Sequence, residues 1–119
     1  VGEPAKSVPL LRAALRLNPD GGYLYYLLLG RAYLFMDDLE QARINLQEAL
    51  LRNPGDVESR VYLAATLVAQ GQSDAAAWEA DEVRGQDADF SARVWLKTYP
   101  LTSARHRDRL LALVAKVGL

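Results

Sequence analysis

The sequence predicts an all-α chain built from antiparallel helix pairs. Three observations carry this. Apolar residues recur at helical spacing in seven segments. Short links rich in proline, glycine and aspartate separate them. No run alternates polar and apolar residues as a half-buried strand does. Half of the 119 residues are apolar, enough for one domain to bury a core without covalent staples.

The first helix is predicted from Pro4 to Asn18, with Leu10, Leu11, Ala14, Leu15 and Leu17 at helical spacing. Ser7 is its candidate cap, and Pro9 is tolerable only near the first turn. Pro19-Asp20-Gly21-Gly22 breaks it. Tyr23 to Met36 follows, apolar on nearly every side, so contacts on more than one face are expected. Asp37-Asp38 forms a short turn, with Asp38 as the cap of a helix from Leu39 to Arg52. Asn53-Pro54-Gly55-Asp56 ends that helix. Val57 to Gln70 is closed by Gly71, which accepts the left-handed C-terminal conformation cheaply. Ser73 is the candidate cap of Asp74 to Arg84, which Gly85-Gln86-Asp87 interrupts. Phe90 to Thr98 is a short helix stopped by Tyr99-Pro100. Thr102 or Ser103 caps a last helix carrying Leu110, Leu111, Leu113, Val114 and Val117, ended by Gly118.

A second regularity lies above the helices. Tyr26, Leu29, Gly30, Tyr33, Ala42, Leu46, Ala49 and Pro54 mark one unit over residues 23–56. Gly30 is placed to let the partner helix come close, where a side chain would push the two apart. Ala42 and Ala49 share one face of the second helix and accept Tyr26, Leu29 and Tyr33 from the first. Large against small lets the ridges interlock at native density. A shift of thirty-four residues carries Leu29 to Leu63, Gly30 to Ala64, Tyr33 to Leu67, Asp37 to Gly71 and Ala42 to Ala76. The match fades at Arg60, Ala80 and Ala88. Upstream, Ala14 to Pro19 echoes Ala49 to Pro54.

This pattern resembles the tetratricopeptide repeat (TPR), with Tyr26 where the family's leading tryptophan stands. The resemblance implies a TPR-like α-solenoid with a C-terminal capping helix. It divides residues 1–119, one helical domain, into the second helix of a truncated repeat (7–22), a complete repeat (23–56), a degenerate repeat (57–90) and a C-terminal helix pair or cap (91–119). Such stacks present a surface, not a reaction. The resemblance therefore implies a protein-interaction or self-association module, with no catalytic residue, cofactor or metal. The binding side is the concave face lined by the first helix of each pair. It places a partner groove at Leu24, Leu27, Arg31, Leu34 and Phe35, continuing through Glu58, Val61, Ala65 and Val68. Leu27, Arg31, Val61 and Ala65 stand where chaperone-binding members carry lysine and asparagine, so a two-carboxylate clamp is rejected. Two fillings of this largely apolar groove stay open. One is an apolar or amphipathic partner segment; the other is the chain's own last helix or a second copy.

The tail resembles the C-terminal close of TPR regions in bacterial class III adenylate/guanylate cyclases and related multidomain regulators. Asp89-Phe90-Ser91, Trp95, Tyr99-Pro100 and Val117-Gly118-Leu119 carry that likeness, with Ala88 in place of a proline. It implies the alternative of a regulatory appendage to a cyclase whose catalytic domain lies elsewhere. The start at Val1, without an initiator methionine, suggests a fragment of a longer protein.

Charge and composition exclude other classes. A net charge of −1 argues against a dedicated nucleic-acid or membrane-surface binder. No apolar stretch approaches the roughly 20 residues that span a bilayer. The absence of cysteine removes disulfides and thiolate chemistry, and favours a reducing, cytoplasmic setting. His106 is the one histidine; Ser103 beside it reads as a helix cap, not a nucleophile. Asp37-Asp38 has too few oxygen neighbours for a calcium loop. Gly21-Gly22 and Gly71 read as helix breaks, not a phosphate cradle. Trp78 and Trp95 are expected in the core. A basic last helix (Arg105, His106, Arg107, Arg109, Lys116) and an acidic run from Asp74 to Asp89 are expected to be solvated faces. A small-ligand site would require a closed pocket.

Overall fold

A computed structural model describes residues 3–119. Seven helices follow in order: α1 (Pro4–Leu17), α2 (Tyr23–Phe35), α3 (Leu39–Arg52), α4 (Val57–Ala69), α5 (Ser73–Gln86), α6 (Ala92–Thr98) and α7 (Ala104–Ala115). Among the described residues there is no strand. The fold is an all-α, TPR-like α-solenoid.

Local chemistry sets the helix ends. Asp38, Asp56, Ser91 and Ser103 each accept a hydrogen bond from a backbone N–H three residues on, satisfying a donor that a helix start otherwise leaves orphaned. The α2 and α4 ends share one closure. Asp38 N–H donates to the Tyr33 carbonyl and Gln72 N–H to the Leu67 carbonyl, each across a residue with positive φ. That residue is Gly71 in one case and Asp37, at φ 60°, in the other, as their correspondence by sequence suggests. Asn18 and Asn53 likewise share a φ of −141° after α1 and α3.

Four boundary expectations are corrected. Ser7 does not cap α1; the helix begins at Pro4, and the Ser7 hydroxyl donates back to the Glu3 carbonyl. Pro9 therefore lies beyond the first turn, one helical turn after exposed Ala5. Ser73 is the first residue of α5, with Gln72 before it, because the Gln72 N–H is drawn into the closure of α4. Helix α5 runs through Gly85 to Gln86, since the Asp87 N–H still finds the Val83 carbonyl. Phe90 precedes α6, which begins after Ser91.

Packing follows the large-on-small pattern. Helix α2 lies against α3, and α4 against α5; α1 packs on α2, and α3 also on α4. A Cβ placed on Gly30 would come 2.4 Å from Leu46 Cγ and 3.3 Å from the Ala42 carbonyl. Only glycine permits this approach. Leu29, Ala42, Leu46 and Ala49 are fully enclosed, and their counterparts Leu63, Ala76, Ala80 and Val83 are buried as well. Tyr33 also receives the Arg12 guanidinium on its hydroxyl, at 2.6 Å, which ties α1 to the pair. Arg60 bridges α4 to α5 through Glu79 at 2.6 Å and to the Pro54 carbonyl.

The stack does not continue past α5. Helix α6 does not lie on α5 as α4 lies on α3; instead the chain turns back and α7 packs on α4. Helix α4 then has α2, α3, α5 and α7 around it, and every residue from Val61 to Leu67 is buried. Trp78 corrects another expectation. It is 57% exposed on α5, thirty-four residues after Ile44, which is also exposed. Its ring lies under the Arg60 guanidinium at 5.9 Å.

Leu63 lies 2% exposed on α4, so Leu63→Ala should cost about 2–5 kcal/mol in denaturant unfolding. A loss near zero would contradict the packing described.

Candidate functional site

The side of α2 and α4 turned away from α3 and α5 is where the sequence places the groove. It is only partly open. Leu24 is exposed, and Arg31, Phe35, Glu58 and Val68 are half-buried. Leu27, Leu34, Val61 and Ala65 are buried in the core, which corrects their placement on an accessible surface. Neighbours enclose both helices: α1, α3 and α4 around α2, and α7 against α4.

Helix α7 supplies the covering. Its first turn meets the end of α2, where the His106 and Phe35 rings stack in parallel at 4.3 Å. Arg109 pairs with Asp37 one turn later. Its far end returns to α5 and α6: the Arg84 guanidinium donates to the Val117 carbonyl at 3.0 Å, and the Ala92 N–H to the Leu119 carbonyl at 3.0 Å. Helix α7 of the chain itself thus lies along α4. The basic face expected for this helix is reduced to exposed Arg105, Arg107 and Lys116, since His106 is buried and Arg109 is half-buried and paired. In the acidic run, Glu79 is likewise bound to Arg60, not merely solvated; burial nonetheless holds its carboxyl above the usual carboxylate range.

An aromatic chain knits this seat together. Phe35 meets Tyr62 edge-on at 6.2 Å, and Tyr62 meets Trp95 at 6.3 Å. Trp95 in turn touches Phe90 and Tyr99. Each such contact contributes about 0.5–1.5 kcal/mol beyond area burial. Tyr62 is the residue the sequence reading missed. It corresponds to Leu28 by the thirty-four-residue shift, a position to which the repeat pattern assigns no role. Burial pushes its hydroxyl pKa strongly upward.

Beside the first turn of α7, a cavity of about 480 Å³ remains between α1, α2 and the link from α6 to α7. Arg31 and Phe35 from the expected groove line it, joined by Leu10, Leu11, Leu28 and His106. Arg31 also contacts Glu58 at 3.5 Å, and burial raises the Glu58 carboxyl pKa. The Ser103 hydroxyl accepts from the His106 backbone N–H, as a cap does. Asp37 is engaged by Arg109.

His106 makes the α7 seat pH-sensitive. Burial, and then the nearby Arg105 charge, hold its pKa below the ordinary 6.5. The fold therefore favours the neutral ring. The associated stability is fully present above 6.5 and is lost as pH falls through the depressed value. Between about pH 8 and about pH 5, wild type should lose thermal midpoint relative to His106→Phe; a difference independent of pH would contradict this assignment.

The family model described as tetratricopeptide repeat matches residues 23–56, which are α2, α3 and the links that follow them. The match does not reach the tail from Asp89 onward. Comparison with curated proteins and with solved structures gives no match. No described helix is long and apolar enough to cross a membrane. Residues 23–56 are thus a tetratricopeptide-like unit, of a kind that suggests a protein–protein interaction module.

Proposed function

We propose that this chain is a protein–protein interaction module that takes a partner helix at the α1 end of its stack. One observation carries the reading. Helix α3 packs both on α2 and on α4, whereas α1 packs on α2 and reaches α3 through the Arg12–Gln41 hydrogen bond. Asn18 and Asn53 close these two helices with the same backbone geometry, so α1 reads as the second helix of a pair whose first helix is not among the described residues. The consequence shows in its burial. Helix α1 contains no fully buried residue; Leu10 and Leu17, two turns apart on one face, are 72% and 89% exposed. Leu24 at the start of α2 extends the apolar strip at 53%.

An amphipathic helix laid along this strip would restore the sandwich that α3 enjoys, which is helix-in-groove recognition applied to the end of a repeat stack. The α4 part of the concave side already has its helix in α7. The groove residues Leu24 and Arg31 would border the incoming segment. The partner class is protein. A second copy of the chain is the outcome in which the partner helix comes from itself.

Helical peptides selected by display against the chain should carry apolar residues at helical spacing. Their affinity should fall at least about tenfold in Leu17→Asp, with the helical circular dichroism of the variant unchanged. Selected binders indifferent to Leu17→Asp would contradict the α1 site. Self-association in sedimentation velocity that Leu17→Asp abolishes would identify a second copy as the partner.

A further inference from the structure

Charge is segregated along the last third of the chain. Residues 73–90 hold Asp74, Glu79, Asp81, Glu82, Asp87 and Asp89, with Arg84 as the one cation. Residues 91–119 invert this: Arg93, Lys97, Arg105, Arg107, Arg109 and Lys116 stand with Asp108 as the one acidic side chain. The two segments are consecutive, yet among the described residues no ion pair joins them. Arg84 turns to Asp81 and Arg107 to Asp108, each within its own segment. Glu79 is held by Arg60, and Arg109 by Asp37. Asp74 and Glu82 on the acidic side, and Arg93 and Lys97 on the basic side, are exposed and have no charged partner among the described residues.

These four charges lie on two defined helix faces. On α5, Asp74, Trp78 and Glu82 follow at one-turn spacing and form a single stripe. Helix α4 packs on the opposite side, where Ala76, Ala80 and Val83 are buried. Trp78, in the middle of the stripe, is 57% exposed, although Arg60 lies over part of its ring. On α6, Arg93 and Lys97 are likewise one turn apart; Val94 beside them is 61% exposed, while Ala92 and Leu96 are turned inward. A tryptophan between two carboxylates and a valine beside two cations are complementary in charge and in hydropathy. Every copy of the chain carries both faces, so each molecule supplies the counterpart that the other's α5 lacks.

We propose that the α5 face centred on Trp78 docks on the α6 face of a second copy, with Trp78 against Val94 and Asp74 and Glu82 toward Arg93 and Lys97. Trp78 is the desolvated anchor, a residue type that dominates the energetics of interfaces. The charges form the rim, where they keep their water and act chiefly on encounter rate and choice of partner. The contact is small, and so it is weak and sensitive to salt. It uses none of Leu10, Leu17 and Leu24, and therefore stands apart from the α1 strip.

The experiment is sedimentation equilibrium of the whole chain up to about 1 mM. It is run at about 0.02 M and about 0.5 M salt, where charges are screened beyond roughly 20 Å and 4 Å. Self-association should appear at low salt and weaken at least about tenfold at high salt. Asp74→Lys with Glu82→Lys should weaken it at least about tenfold, as should Arg93→Glu with Lys97→Glu. Mixed in equal amounts, the two doubly reversed variants should associate again, because each then offers the other opposite charges. All four side chains are exposed, and circular dichroism checks that both variants fold. The salt series needs no variant and keeps the test decisive if either does not. A chain that stays monomeric at about 1 mM in low salt would overturn the proposal. So would association indifferent to salt, association unmoved by both reversals, or a mixture of folded variants that fails to associate. Association lost in Leu17→Asp but kept in the reversed variants would belong to the α1 strip and would equally overturn it.

Discussion

The close approach of α2 to α3 at Gly30 is the constraint from which the rest of the molecule follows. With no Cβ at that position, Leu46 lies almost on the α2 backbone, and Leu29, Ala42 and Ala49 close around it without exposure. The second pair repeats the device with smaller parts, Ala64 against Ala76 and Ala80. Two such pairs side by side set α2 and α4 next to each other. That adjacency places Phe35 against Tyr62, and so builds the aromatic seat on which α7 rests.

Why the stack ends at α5 is visible in its outer residues. Only Ala76, Ala80 and Val83 of α5 are buried; Asp74, Asp81 and Glu82 face water. A further helix laid on that face would strip water from several carboxylates, a cost that exposed ion pairs do not repay. The aromatic residues after α5 find a better surface. Trp95 joins Tyr62, and α7 brings His106 to Phe35. Polar termination of one helix and an aromatic attraction elsewhere thus convert the last helical segments from another repeat into a cover.

Much of this was legible in the sequence, and for a physical reason. Helix periodicity, cap residues and the thirty-four-residue shift are local or nearly local signals. They marked all seven helices, the caps Asp38 and Ser103, and the interlocking positions of both pairs. Long-range docking leaves no such trace. That α7 packs on α4 depends on which of two apolar surfaces wins, and the stripe Leu110, Leu111, Leu113 and Val114 fits either. Trp78 misled because size and helical spacing argue for burial, whereas its position relative to Ile44 argues for the outside. Of the residues expected to line a groove, Leu27 and Leu34 are buried, whereas Leu28 and His106, which were not among them, border the cavity beside α2.

A double-mutant cycle between Gly30→Ala and Leu46→Ala, followed by denaturant unfolding, tests the interlock most directly. In wild type, the added methyl should destabilise, because overpacking at about 1–3 kcal/mol outweighs the gain of about 1 kcal/mol from replacing glycine in a helix. In the Leu46→Ala background the space is free, and the same change should become neutral or stabilising, a coupling on the order of 1 kcal/mol or more. Equal effects of Gly30→Ala in the two backgrounds would contradict the close approach of α2 and α3 and the architecture built upon it.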